Sequence, residues 1–158
     1  MPTVPLKDRW FDDFSVGERF EFGAYTVTED EIVDFARRYD PQPFHLDPEA
    51  ARASHFGGLV ASGWMTCAVL MRLLCDHFIP RVSSMGSPGV DEVRWLEPVR
   101  PGDVLRARSE ILECRPSRSK PDRGVLRARH QLVNQHGAVV MTTLGMGMYR
   151  RRPAAEAD

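Results

Sequence analysis

The nine residues Tyr39 to Asp47, YDPQPFHLD, place an acid and an imidazole, Asp40 and His45, five positions apart with Pro41 and Pro43 between them. A paired carboxylate and imidazole can be tuned to move protons near neutral pH. The proline rings fix φ and disfavour helical geometry at the residue before them, so both groups sit on a connection with few conformations to lose. Alone, such a pair is weak evidence. An arbitrary histidine is more often structural, and Asp40 at the end of a helix can serve as a cap. Asp47 reads as a cap for the helix that follows. A second feature is the FGGLVASGW stretch, in which Gly63 opens an apolar segment. Backbone N–H groups at a helix start can receive developing negative charge, and a glycine there lets a substrate approach closely. Ser62 is placed either to cap that helix or to touch substrate.

The elements around these residues follow from periodicity and turn chemistry. Glu18 to Val27 alternates as a strand, Thr28 with Glu31 forms a capping box, and a helix runs from about Glu29 to Tyr39, with Ile32, Phe35, Ala36 and Tyr39 on its apolar face. Asp40 falls at its end. A short helix covers about Glu49 to Ala53 after Pro48, and three glycines then interrupt regular structure. From Trp64 to about Phe78 the pattern is helical again. Trp64, Ala68, Met71 and Cys75 form one stripe and Cys67, Val69, Leu70, Leu73 and Leu74 cover most of the rest, so this helix is expected in the middle of the domain, wrapped by other elements. Gly89 to Leu96, Val104 to Cys114, Gly124 to Asn134 and Ala138 to Tyr149 read as four strands, with VRPGD and NQHG as the clearest turns. The fold class is therefore α+β, an antiparallel five-stranded sheet around a long central helix.

These blocks, in this order, resemble the hotdog fold. DPQPFH is similar to the Asp-x-Asn-Pro-x-His signature of the MaoC-like dehydratases, the R-specific enoyl-CoA hydratases, and FGGLVASGW resembles the segment leading into their central helix. The resemblance covers roughly residues 10 to 150. It implies a lyase that reversibly hydrates a 2-enoyl-CoA to a 3-hydroxyacyl-CoA, with Asp40 and His45 activating the water and Gly63 N–H receiving the thioester oxygen. No metal or redox cofactor is implied, the CoA thioester being substrate. Gln42, Phe44, Ser62, Trp64 and Met65 are candidates for the substrate pocket, although a large apolar residue on a buried helix is more often plain core. MRLLCDHF and SSMGSPG are expected to shape its far end. Gln42 stands where the family signature has asparagine, and Ser62-Gly63 replaces a commonly found His-Gly. A serine that supports the catalytic aspartate in the family falls, by an ungapped count, on Met71, so the surroundings of Asp40 are expected to differ. Two other readings stand beside hydration: a hotdog acyl-CoA thioesterase, and a non-catalytic acyl-CoA-binding protein.

A lone hotdog sheet leaves an edge strand and part of its helix exposed, and edge-to-edge pairing of two copies removes both problems, so a homodimer or a higher homo-oligomer is expected. The family's site lies at such an interface. Composition sets the remaining limits. The chain has 158 residues, 42% hydrophobic and 27% charged, with a net charge of −1, which fits one domain over 1–150 and a short mobile tail over 151–158. Nothing global attracts nucleic acid or a membrane surface, and the Arg150 to Arg152 run is expected to be solvated. No apolar run reaches the ~20 residues of a membrane helix and the first fifteen residues lack a signal core, so a cytoplasmic protein is expected. Cys67, Cys75 and Cys114 are expected to be buried free thiols rather than metal ligands, since no Cys-x-x-Cys or His-x-x-x-His spacing occurs. Arg94, Arg100 and Arg127 are candidates for CoA phosphates that nothing in the sequence ranks above other arginines.

Overall fold

The computed structural model of the chain describes residues 4–154. Two 3-10 turns, Leu6–Asp8 and Phe11–Asp13, precede β1 (Arg19–Thr26), α1 (Glu29–Tyr39), α2 (Pro43–Leu46), α3 (Pro48–Ala53) and α4 (Gly63–Leu73). A π-helical turn, Leu74–Phe78, continues α4, and β2 (Val90–Trp95), β3 (Val104–Pro116), β4 (Arg123–Val133) and β5 (Val139–Arg150) complete the chain. The strands form one antiparallel sheet in the order β1-β3-β4-β5-β2. Period-two alternation sets its inner face: Leu105, Ala107 and Ile111 on β3, Leu126, Ala128 and Leu132 on β4, and Met141 on β5 are buried. Against that face α4 lays Met65, Val69, Leu70 and Leu73, the hotdog arrangement expected from the sequence.

The capping box begins α1 as expected, with Thr28 accepting from Glu31 N–H and Glu31 reaching back to Thr28 N–H. Tyr39 departs from its expected apolar face: it is 69% exposed, its ring resting on Phe35. The stripe Trp64, Ala68 and Met71, continued by Cys75 in the π turn, is likewise exposed rather than wrapped, because a single sheet covers only one side of α4. The cysteines are free but not buried; Cys75 is exposed and the other two are partly covered. The N-terminal 3-10 turns were not foreseen. They insert Phe11 into the core against Gly124, where a Cβ would lie 2.4 Å from the Phe11 ring. At the other end, Arg151 and Arg152 are fastened to Asp12 and Asp13 by ion pairs of 2.7 and 2.8 Å. The remainder of the expected tail, 155–158, lies outside the described residues. No described helix is long and apolar enough to cross a membrane.

Candidate active site

Asp40 ends α1 as its C-cap, with its N–H donating to Ala36 carbonyl at 2.9 Å. The stretch after it is not a plain loop: Pro43 supplies the first residue of α2, a single helical turn. That turn brings His45 back under Asp40, buried, with Nε2 3.2 Å from Asp40 Oδ2. His45 Nδ1 lies 2.7 Å from Val60 carbonyl, which only accepts, so Nδ1 carries a proton and the exchangeable position is Nε2, facing Asp40.

Asp40 is held from both sides. Ser62 Oγ donates to Oδ2 at 2.7 Å and Gln42 Nε2 donates to Oδ1 at 2.6 Å. Burial pushes the Asp40 pKa up, but the hydrogen bonds from Gln42 and Ser62, together with the attraction of His45, outweigh it and leave the carboxyl below its ordinary value. Ser62 does two jobs: fully buried, it also caps α4 by accepting from Trp64 N–H at 3.2 Å. Met71, where the ungapped count put the supporting serine, is 50% exposed on the far face of α4. The count fails because the supporting hydroxyl stands before the helix, one residue from Gly63. Gln42, which departs from the family signature, occupies a direct supporting position on Asp40.

Gly63 is the first residue of α4, and its N–H makes no hydrogen bond among the described residues. Its carbonyl accepts from Trp95 Nε1 at 2.9 Å, and the indole lies so close that a Cβ on residue 63 would be 2.4 Å from Trp95 Cε2. The lack of a side chain is thus required by Trp95 as well as useful to a ligand. Trp95 was not singled out from the sequence; only its place at the end of an edge strand could have drawn attention to it.

A cavity of about 510 Å³ gathers Asp40, Gln42, Phe44, His45, Gly63 and Trp64 with Trp95 and the Leu96 to Val99 segment. Of the expected pocket residues, Gln42, Phe44 and Trp64 line it. Ser62 is sealed behind Asp40, and Met65 is turned into the core. The cavity holds a paired carboxylate and imidazole at one wall and a free helix-start N–H at another, so it can move a proton while neutralising an anion. Arg94 and Arg127 are engaged with Glu92 and Asp91, and Arg100 donates to Phe56 carbonyl, so none of these three is distinguished as a phosphate ligand. His55, His77 and His136 are exposed and none lines the cavity, although the His55 ring packs on Phe56, which does. Among the described residues no group of three or more His, Cys, Asp or Glu side chains is arranged to hold a metal ion.

A family model described as "MaoC like domain" matches residues 13–133. Protein YdeM of Bacillus subtilis is 30% identical over 109 residues, which cover 69% of this chain and 77% of that protein. The 3-hydroxyacyl-thioester dehydratase Z of Mycobacterium tuberculosis is 37% identical over 89 residues, covering 55% of this chain and 59% of its own length. The chain thus matches little more than half of that dehydratase. Among solved structures, a MaoC-like dehydratase from Rhodospirillum rubrum superposes with a TM-score of 0.86 at 42% identity, over 92% of this chain and 99% of its own.

Proposed function

The chain belongs to the MaoC-like domain family, and from that premise we propose that it hydrates a 2-enoyl-CoA reversibly to the 3-hydroxyacyl-CoA. The observation that carries this reading is the Asp40 and His45 pair, 3.2 Å apart, in one cavity with the Gly63 N–H, which has no partner among the described residues. The thioester oxygen accepts from Gly63 N–H at the positive end of α4, which favours the negative charge that grows there as water attacks the β-carbon. The dyad takes one proton from the attacking water, leaving its hydroxyl on the β-carbon, and returns a proton to the α-carbon, so that it ends as it began. In the dehydration direction the same groups run in reverse. Ser62 and Gln42 keep Asp40 ionised and fixed while His45 Nδ1 is tethered to Val60, which leaves Nε2 as the site where a proton enters and leaves.

Crotonyl-CoA tests this reaction. Loss of the ultraviolet band of the conjugated thioester without release of free CoA thiol is the expected result, whereas thiol release would show a thioesterase and binding with neither change a non-catalytic protein. A second part of the reading concerns assembly. β2 lies at the sheet edge, and beside it Trp64, Met71, Val90, Trp95 and Leu96 are each 46–61% exposed. A second copy pairing at this edge would cover them, which supports a homodimer.

A further inference from the structure

A second cavity, of about 250 Å³, lies between α4 and the inner face of the sheet. Cys67, Leu70, Leu74 and Phe78 line it from the helix side, and β5 contributes Gly145 and Gly147 and β4 Ala128 from the sheet side. MRLLCDHF and SSMGSPG contribute to it, through Met71, Leu74 and Phe78 and through Ser84, Gly86 and Ser87. It follows the first cavity along the same two elements. Thr66 and Trp95 line the first, and Cys67 and Val93, one residue on along α4 and two residues away along β2, line the second.

Apart from Ser84 and Ser87 in the loop before β2, the polar side chains of the wall are three groups on the inner face of the sheet. His130 on β4 and Thr143 on β5 are directly paired across strands, and Tyr149 lies further along β5 with its ring folded over Gly147. His130 Nδ1 is bonded to Ser109 Oγ at 2.6 Å, but its Nε2, Thr143 Oγ1 and Tyr149 Oη make no hydrogen bond among the described residues. None of the three atoms is sealed, since among the described residues the one fully buried side-chain nitrogen or oxygen without a partner is Arg127 Nε. All three residues line the cavity. Uncompensated polar groups in an apolar enclosure are costly, and a hydrocarbon ligand would leave them so. No lining residue is Lys, Arg, Asp or Glu, so a carboxylate there would be buried without a countercharge.

We propose that this cavity receives the distal part of the acyl chain and selects substrates carrying an uncharged oxygen, a hydroxyl or a ketone, which His130 and Thr143 hydrogen-bond. The proposal rests on an acyl thioester being held at Gly63, as above, and adds the chemical class of its tail. Burial keeps the imidazole neutral, with its pKa pushed down to about 4, in agreement with a partner that bears no charge. The position also fits in length: Gly63 to Leu70 is about 10 Å of helix at ~1.5 Å per residue, within reach of a medium acyl chain.

The test measures calorimetric binding of medium-chain acyl-CoAs with and without a hydroxyl or keto oxygen on the distal half of the chain. It uses the wild type and the variants His130→Phe and Thr143→Val, with crotonyl-CoA hydration followed in parallel. The wild type is expected to bind the oxygenated chain about tenfold more tightly, the scale of one neutral hydrogen bond. Either variant is expected to bring that ratio close to one while crotonyl-CoA, too short to reach His130, is handled as before. Equal binding of the two chains by the wild type, or an unchanged ratio in both variants, overturns the proposal even where crotonyl-CoA is hydrated. A tail preference lost in the variants without hydration of any enoyl-CoA would sustain the tail site and sink the hydratase reading instead. Should His130→Phe fail to fold, Thr143→Val decides alone.

Discussion

At the scale of single residues, the catalytic reading depends on where protons can sit. Asp40→Asn keeps the shape but removes the carboxylate, and His45→Gln removes Nε2; each is expected to lower kcat for crotonyl-CoA by about 100- to 10,000-fold, with far-ultraviolet dichroism unchanged. Full activity in both would refute the site. Gln42→Ala asks a finer question. Without that donor the Asp40 pKa rises towards its ordinary value, so the acid limb of the kcat/KM profile should move to higher pH, whereas a limb that stays put would mean Gln42 does not tune Asp40. His130 gives a stability prediction that does not depend on function. Its pKa is depressed by burial from 6.5 to about 4, so the unfolded chain binds a proton that the folded chain refuses, and stability must fall as pH drops through that window. The loss reaches roughly 3 kcal/mol at ~1.4 kcal/mol per unit, and urea titrations of His130→Phe should show this segment of the pH dependence removed.

At the scale of elements, what the sequence made legible is what local chemistry dictates. The bounds of α1 follow from Thr28, Glu31 and the proline after Asp40, and the strands follow from alternation and turn residues, although β2 does not itself alternate in burial. Asp40, His45 and Gly63 were readable for the same reason: motif and helix start are local. What long-range packing decides was not readable. Phe11 lies on Gly124, Trp95 lies on Gly63, and Ser62 rather than residue 71 supports Asp40, and each pairing joins segments whose separation in sequence says nothing of contact. The contact of Trp95 with the start of α4 has a direct consequence. Gly63→Ala drives a methyl into the indole at 2.4 Å, so it should destabilise the fold by about 1–3 kcal/mol as overpacking does, and should shift tryptophan fluorescence. Trp95→Ala in the same chain should restore much of that stability. If the double variant is no more stable than the single one, the clash is not the cause.

At the scale of the whole molecule, the exposed stripe of α4 and the free edge of β2 are one surface, since Trp64 and Trp95 pack edge to face with centroids 5.2 Å apart. That surface joins the rims of both cavities: Trp64 and Trp95 belong to the first, Met71 and Val90 to the second. In an antiparallel pairing of two β2 strands about a two-fold axis, the beginning of one strand lies beside the end of the other, which sets Val90 of one copy near Trp95 of its partner. On the proposed pairing, association and substrate handling would be coupled, because the side chains covering one cavity rim would be those that shape the other. Trp64→Glu with Met71→Glu places charge on this face without touching Asp40, His45 or the sheet core. Light scattering should find the wild type at twice the chain mass and the double variant at the single mass, with the folded spectrum retained; turnover should fall as well, since Trp64 and Met71 also line the two cavities. A variant that stays at twice the chain mass would show that the pairing surface lies elsewhere. A monomer with full turnover would show that each chain carries a complete site.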